Sequence, residues 1–92
     1  MTLPLHHLRS RYGDIRRAFR APAPIWAQVR NQALARIAPP GRVPRGWLTM
    51  SLADSARRST DLLAALLRDE PVVLTWRGAP ALVLFPYGLE KA

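Results

Sequence analysis

The chain has 92 residues, no cysteine and a formal net charge of +8. That length makes one small domain, and the missing thiols exclude a disulfide framework and thiolate chemistry. No apolar run approaches the ~18–20 residues needed to cross a bilayer, and the start lacks the apolar core of a secretory signal. The lack of cysteine points to a reducing compartment, so the expected location is cytoplasmic; the Arg-rich, acid-poor but Ser-poor start leaves an organellar transit peptide as the minor alternative. The excess charge is unevenly placed. Residues 1–46 hold nine arginines against one acid, Asp14, whereas residues 47–92 balance five basic residues with five acidic ones. Such an asymmetry marks a basic segment that meets an anionic partner.

Chemistry-bearing patterns are few. His6 and His7 are adjacent, and too few acids lie near them to complete the three or four ligands of a metal site. There is no Gly-rich phosphate loop, no defensible Ser/His/Asp spacing, and no paired carboxylates outside a turn. The expectation is a non-enzymatic protein with no cofactor and no metal.

In chain order, Leu5, Leu8, Tyr12, Ile15 and Phe19 recur at helical spacing, with Arg9, Arg16, Arg17 and Arg20 mostly off that stripe. Gly13 costs about 1 kcal/mol in a helix interior, so the helix either runs through it or restarts at Asp14. Ala21-Pro22-Ala23-Pro24 breaks the chain. A second helix is expected to follow, with Pro24 in its first turn and Trp26, Val29, Ala33 and Ile37 on its apolar face. Residues 1–38 therefore read as an Arg-rich extension of two short basic helices.

Residues 39–46 contain three prolines and two glycines, which exclude a helix or a central strand and read as a linker. Residues 47–92 read as a module. Trp47–Met50 is strand-like; Ser51 offers an N-cap, with Asp54 three residues on completing a weak capping box. Leu52 and Ala56 are expected to face inward on a first helix. Ser59 or Thr60 would cap a second, carrying Leu62, Leu63, Leu66 and Leu67 and stopping at Asp69-Glu70-Pro71. Val72–Trp76 and Ala79–Phe85, joined at Arg77-Gly78, read as a hairpin that Pro86 ends. Leu82-Val83-Leu84-Phe85 is apolar on both faces of its strand, so both faces need cover. A second copy is the simplest source, giving an expected homodimer with Trp76, Leu82 and Leu84 at its interface; the alternative cover is the N-terminal helix pair.

The stretches Met50–Arg58, Asp61-Leu62-Leu63 and Asp69–Pro86 resemble the N-terminal domain of the prevent-host-death (Phd/YefM) antitoxins, over about residues 47–88. The resemblance implies an α+β fold with a β-α-α-β-β dimerisation module that binds operator DNA, represses its own operon and belongs to a protein that neutralises a cognate toxin. It places Arg57 and Arg58 at or next to the family's basic position on the first helix. Trp76 stands where the family has an arginine after the hairpin threonine, and Arg77 is the substitute. The chain also stops soon after the hairpin, where the family continues into a toxin-binding tail, and it begins with a segment the family lacks.

Three roles for that basic segment follow. It neutralises the toxin by laying Leu8, Tyr12, Ile15, Phe19 and Trp26 on it as helical anchors. It binds nucleic acid through arginines such as Arg16, Arg17 and Arg20, whose planar forks grip phosphate in two places. Or the chain is a non-catalytic structural subunit of a larger nucleoprotein assembly. The bland alternative is a helical layer packed on the chain's own sheet.

Overall fold

The computed structural model describes residues 1–88. Its core is one mixed six-stranded sheet with three short helices, an α+β architecture. The strands are β1 (Thr2–Pro4), β2 (Ile25–Val29), β3 (Gln32–Ala38), β4 (Leu48–Ser51), β5 (Val72–Trp76) and β6 (Ala79–Pro86). Their order across the sheet is β1-β2-β3-β6-β5-β4. Between β1 and β2 lie a single 3₁₀ turn (Leu5–His7) and helix α1 (Tyr12–Ala18); between β4 and β5 lie α2 (Leu52–Arg57) and α3 (Ser59–Leu67).

The second half follows its expected element order. Ser51 accepts a hydrogen bond from the Asp54 N–H at 3.0 Å, which satisfies one of the orphan donors at the start of α2. Leu62 and Leu66 turn inward, while Leu67 is 66% exposed. Two details differ. Ala56 is exposed rather than inward, and α3 starts without a side-chain cap from Ser59 or Thr60. The helix ends where Asp69 takes a left-handed φ of 60°, a conformation that Asp tolerates better than most residues.

The first half corrects the sequence reading. The first expected helix is present as the 3₁₀ turn and α1, but the second is a β-hairpin, β2–β3. Ala-rich stretches such as Ala33-Leu34-Ala35 have weak strand preference, and the pairing partner decides. Ile25, Ala27, Ala35 and Ile37 then point to the core in strand alternation. Arg30 and Asn31, with φ of 50° and 65°, form the reverse turn, as Arg77 and Gly78 do in the other hairpin with φ of 52° and 81°. Two successive positive φ values mark the turn type whose twist matches that of the flanking strands.

The expected dimer interface is corrected at two of its three residues, Leu82 and Leu84, whereas Trp76 is exposed. Leu82 and Leu84 are fully buried beneath the chain's own helices, in a core shared with Leu3, Ile15, Leu62 and Leu74. The free edge of β6 pairs with β3, from Ala35↔Pro86 to Ala38↔Val83. The cover that a second copy was expected to provide comes from residues 1–38, which supply half of the sheet as well as a helix. They are not a detached arm.

The linker completes the cover. Ala38, Val83, Val73 and Thr49 lie on one row across β3-β6-β5-β4, so residues 39–47 need to travel only about three strand spacings, ~14 Å. The Trp47 ring at the end of this stretch lies against Phe85, edge-on at 5.6 Å, and the strand neighbours of Phe85, Leu82 and Leu84, face the helices. Val73 and Val83, on the opposite face, are buried.

The two halves share one design. Each runs strand, helical pair, strand, strand, with its first two strands parallel and its last two antiparallel. The ladders match residue by residue: Leu3↔Ala27 answers Met50↔Leu74, and Ile25↔Ile37 answers Val72↔Leu84. Even the β-bulges coincide, at Ala27/Gln28 and at Leu74/Thr75. At the seam, Ile37 pairs with Leu84, flanked by Arg36↔Phe85 on one side and Ala38↔Val83 on the other. This is the self-complementary pattern of a two-fold interface, realised within one chain.

Candidate nucleic-acid interface

Helix α1 is short, and burial of one face holds it in place. Ile15 is fully buried, with Tyr12, Ala18 and Phe19 packed around the same core. Asp14 in the first turn and Arg16 and Arg17 in the last complement the helix dipole. Arg16, Arg17 and Arg20, the last in the turn that follows α1, are exposed and with Gly13 line a shallow cleft.

The local charge is only partly compensated. Asp14 accepts from Arg11 Nε at 3.1 Å and also pairs with Arg17. The Arg11 hydrogen bond, with Arg17 beside it, holds the Asp14 carboxyl below its usual range. Asp14 is thus shared between two guanidinium groups, and no acid among the described residues pairs with Arg16 or Arg20.

A strip of rings and guanidinium groups extends from this cleft onto the other half of the molecule. Arg16 lies over the Tyr12 ring at 5.9 Å, Tyr12 meets Trp76 at 6.0 Å, and Arg77 lies over Trp76 at 5.4 Å. Trp76 is 44% exposed. Cation–π contacts at exposed sites contribute about 0.5–1 kcal/mol each, enough to bias where a flexible arginine points. Arg16 and Arg77, far apart in sequence, are thereby placed on one surface.

Other sequence-predicted residues lie elsewhere. Arg57 and Arg58 are each tied to an acid, Asp54 at 2.7 Å and Asp61 at 2.9 Å. Exposed pairs of this kind are weak, so a phosphate can compete with the carboxylates for these guanidinium groups. Of the expected protein anchors, Leu8 and Ile15 are interior and not available to a partner; Tyr12 and Phe19 are half-buried beside α1. Trp26 lies on β2, in cross-strand register with Arg36 on the face away from the helices, its ring 5.9 Å from Tyr87. The role of Trp76 in joining the halves at Tyr12 was not legible in the sequence, because nothing local brings these two residues together.

No group of three or more metal-ligating side chains lies together among the described residues, and no helix there is long and apolar enough to cross a membrane. Compared with family models, with curated proteins and with solved structures, the chain finds no match in any of the three, and its functional reading rests on its own residues.

Proposed function

We propose that this chain is a non-catalytic, antitoxin-like DNA-binding protein that represses its own operon and meets a cognate toxin by protein–protein contact. The observation that carries this reading is the strip Arg16-Tyr12-Trp76-Arg77 with Arg17 and Arg20 beside it, a basic surface interleaved with aromatic rings. Arginine forks bind phosphate, and release of condensed counterions supplies the affinity. The toxin would meet the folded surface of the molecule rather than a free helical arm, since Leu8 and Ile15 are committed to the core.

The test is a salt-titrated gel shift of the intact chain on the DNA upstream of its own gene, together with co-expression with the neighbouring gene product. Retarded DNA at low salt, released as salt rises, supports repression; relief of a growth block supports neutralisation. Unshifted DNA at every salt concentration would remove the repressor role. A growth block that persists would remove the toxin partner. The second reading, a structural subunit of a nucleoprotein assembly, uses the same basic surface and predicts retention on nucleic acid without preference for the upstream sequence.

A further inference from the structure

We infer that the chain is a tandem pair of one β-α-α-β-β unit whose two copies have divided their surface roles, so that duplex DNA is held on one side by the first copy's helix face and not astride the internal two-fold. The inference rests on the DNA-binding reading above and says which surface does the binding.

The matched ladders fix the correspondence without a gap: Thr2 answers Thr49, Pro24 answers Pro71, and Pro39 answers Pro86. Nine of the forty positions from Thr2 to Gly41 keep the same residue in the second copy, a level that would mean little without the shared registers and bulges. One pair of residues common to both copies also makes the same bond in both. Arg11 Nε meets Asp14 Oδ2 at 3.1 Å, and its counterpart Arg58 Nε meets Asp61 Oδ2 at 2.9 Å. The hairpin turns keep Arg30 and Arg77 in the same left-handed conformation.

Against this shared frame, the charges have separated. Arg9, Arg16, Arg17, Arg20 and Arg36 in the first copy correspond to Ala56, Leu63, Ala64, Leu67 and Val83 in the second. A reader that used the two-fold would need its cations in equivalent pairs. Only Arg11 with Arg58 and Arg30 with Arg77 are so paired, and the first two are tied to acids. The aromatic strip shows the same divergence: the counterpart of Arg16-Tyr12-Trp76-Arg77 is Leu63-Ser59-Val29-Arg30. One side of the molecule presents Arg16, Arg17 and Arg20 with the exposed Trp76 ring, and the equivalent side presents Leu63, Ala64 and Leu67 in their places, with Leu67 open to solvent and Arg30 as its remaining cation.

Arg16 and Arg17 in the last turn of α1 and Arg20 in the turn that follows line one cleft, so their guanidinium groups are placed together for a phosphate backbone.

The experiment measures equilibrium binding of the full chain to a fluorescent 24-base-pair duplex from its upstream region, by anisotropy between 50 and 200 mM salt. Two double variants are compared with the unmodified protein, R16A/R20A and R57A/R58A, all replacing exposed side chains, with far-ultraviolet circular dichroism as the check on folding. Each phosphate that the protein no longer neutralises lowers the slope of log K against log salt by ~0.9. The expected result is a slope reduced by ~1.8 in R16A/R20A and unchanged in R57A/R58A. Equal reductions in both, or a reduction in R57A/R58A alone, would overturn the one-sided assignment while leaving DNA binding intact. No binding by the unmodified chain at 50 mM salt would overturn the DNA-binding reading, and this inference with it.

Discussion

Ile15 and Leu62 occupy equivalent places in the two halves, both fully buried and both in the one core beneath the helices. Replacing either with alanine removes three carbon groups, worth about 2.4 kcal/mol at ~0.8 kcal/mol each. The cavity that remains raises the cost toward ~3–4 kcal/mol. A chain of this length is stable by about 5–14 kcal/mol, so both variants stay mostly folded at 25 °C across most of that range. Urea unfolding, followed by far-ultraviolet circular dichroism and by tryptophan fluorescence, reads the effect. With a denaturant slope of ~1–3 kcal/mol per molar, the midpoint falls by roughly 1–4 M in each variant. Because β3 and β6 join the halves into one sheet, each variant should give a single transition in which the two probes coincide. The opposite result is a split curve for Ile15→Ala, with one part unfolding early and another at the original midpoint. Residues 1–38 would then be a separate arm.

The remaining predictions concern local devices. Ser51→Ala removes the acceptor for the Asp54 N–H and should cost about 1 kcal/mol, visible as a lowered urea midpoint with unchanged slope. Gly78→Val places a β-branched residue at a φ of +81° in the hairpin turn and should cost upwards of about 1–2 kcal/mol, whereas Asn31→Gly at the equivalent turn should be tolerated. The hydrogen bonds from Arg11 to Asp14 and from Arg57 to Asp54 hold both carboxyls below their ordinary value of 3.8. A carboxyl with a depressed folded-state pKa stabilises above its unfolded value and loses that contribution as pH falls through the folded one. The melting temperature of the unmodified chain should therefore exceed that of an Asp14→Asn, Asp54→Asn variant at pH 7, and the gap should close below pH 3.8. A gap that widened in acid would contradict the assignment.

The second half was largely legible because each of its elements carries its own punctuation. Ser51 starts a helix, Asp69-Glu70-Pro71 follows the end of another, and Arg77-Gly78 turns a hairpin between β-branched runs. The first half misleads because its hairpin is built from alanine. Trp26, Val29, Ala33 and Ile37 make a passable helical stripe, while the strand alternation of Ile25, Ala27, Ala35 and Ile37 becomes decisive only when β3 finds β6. Asn31, which tolerates a left-handed φ, was the local signal for the turn. The internal repeat was hidden because what the copies share is register and burial rather than residue identity. Arg16, Arg17, Arg20 and Arg77 were recognisable as cations, but their arrangement depends on Tyr12 meeting Trp76 across the two halves. That is a tertiary contact, and no local pattern encodes it.

One chain supplies both halves of a two-fold sheet and so needs no second copy to complete its core. Sedimentation equilibrium of the full chain, over a wide range of protein concentration, tests this most directly. The expected result is a single folded species of 10.3 kDa at every concentration. A dimer whose dissociation on dilution is accompanied by loss of the sheet signal in circular dichroism would contradict it.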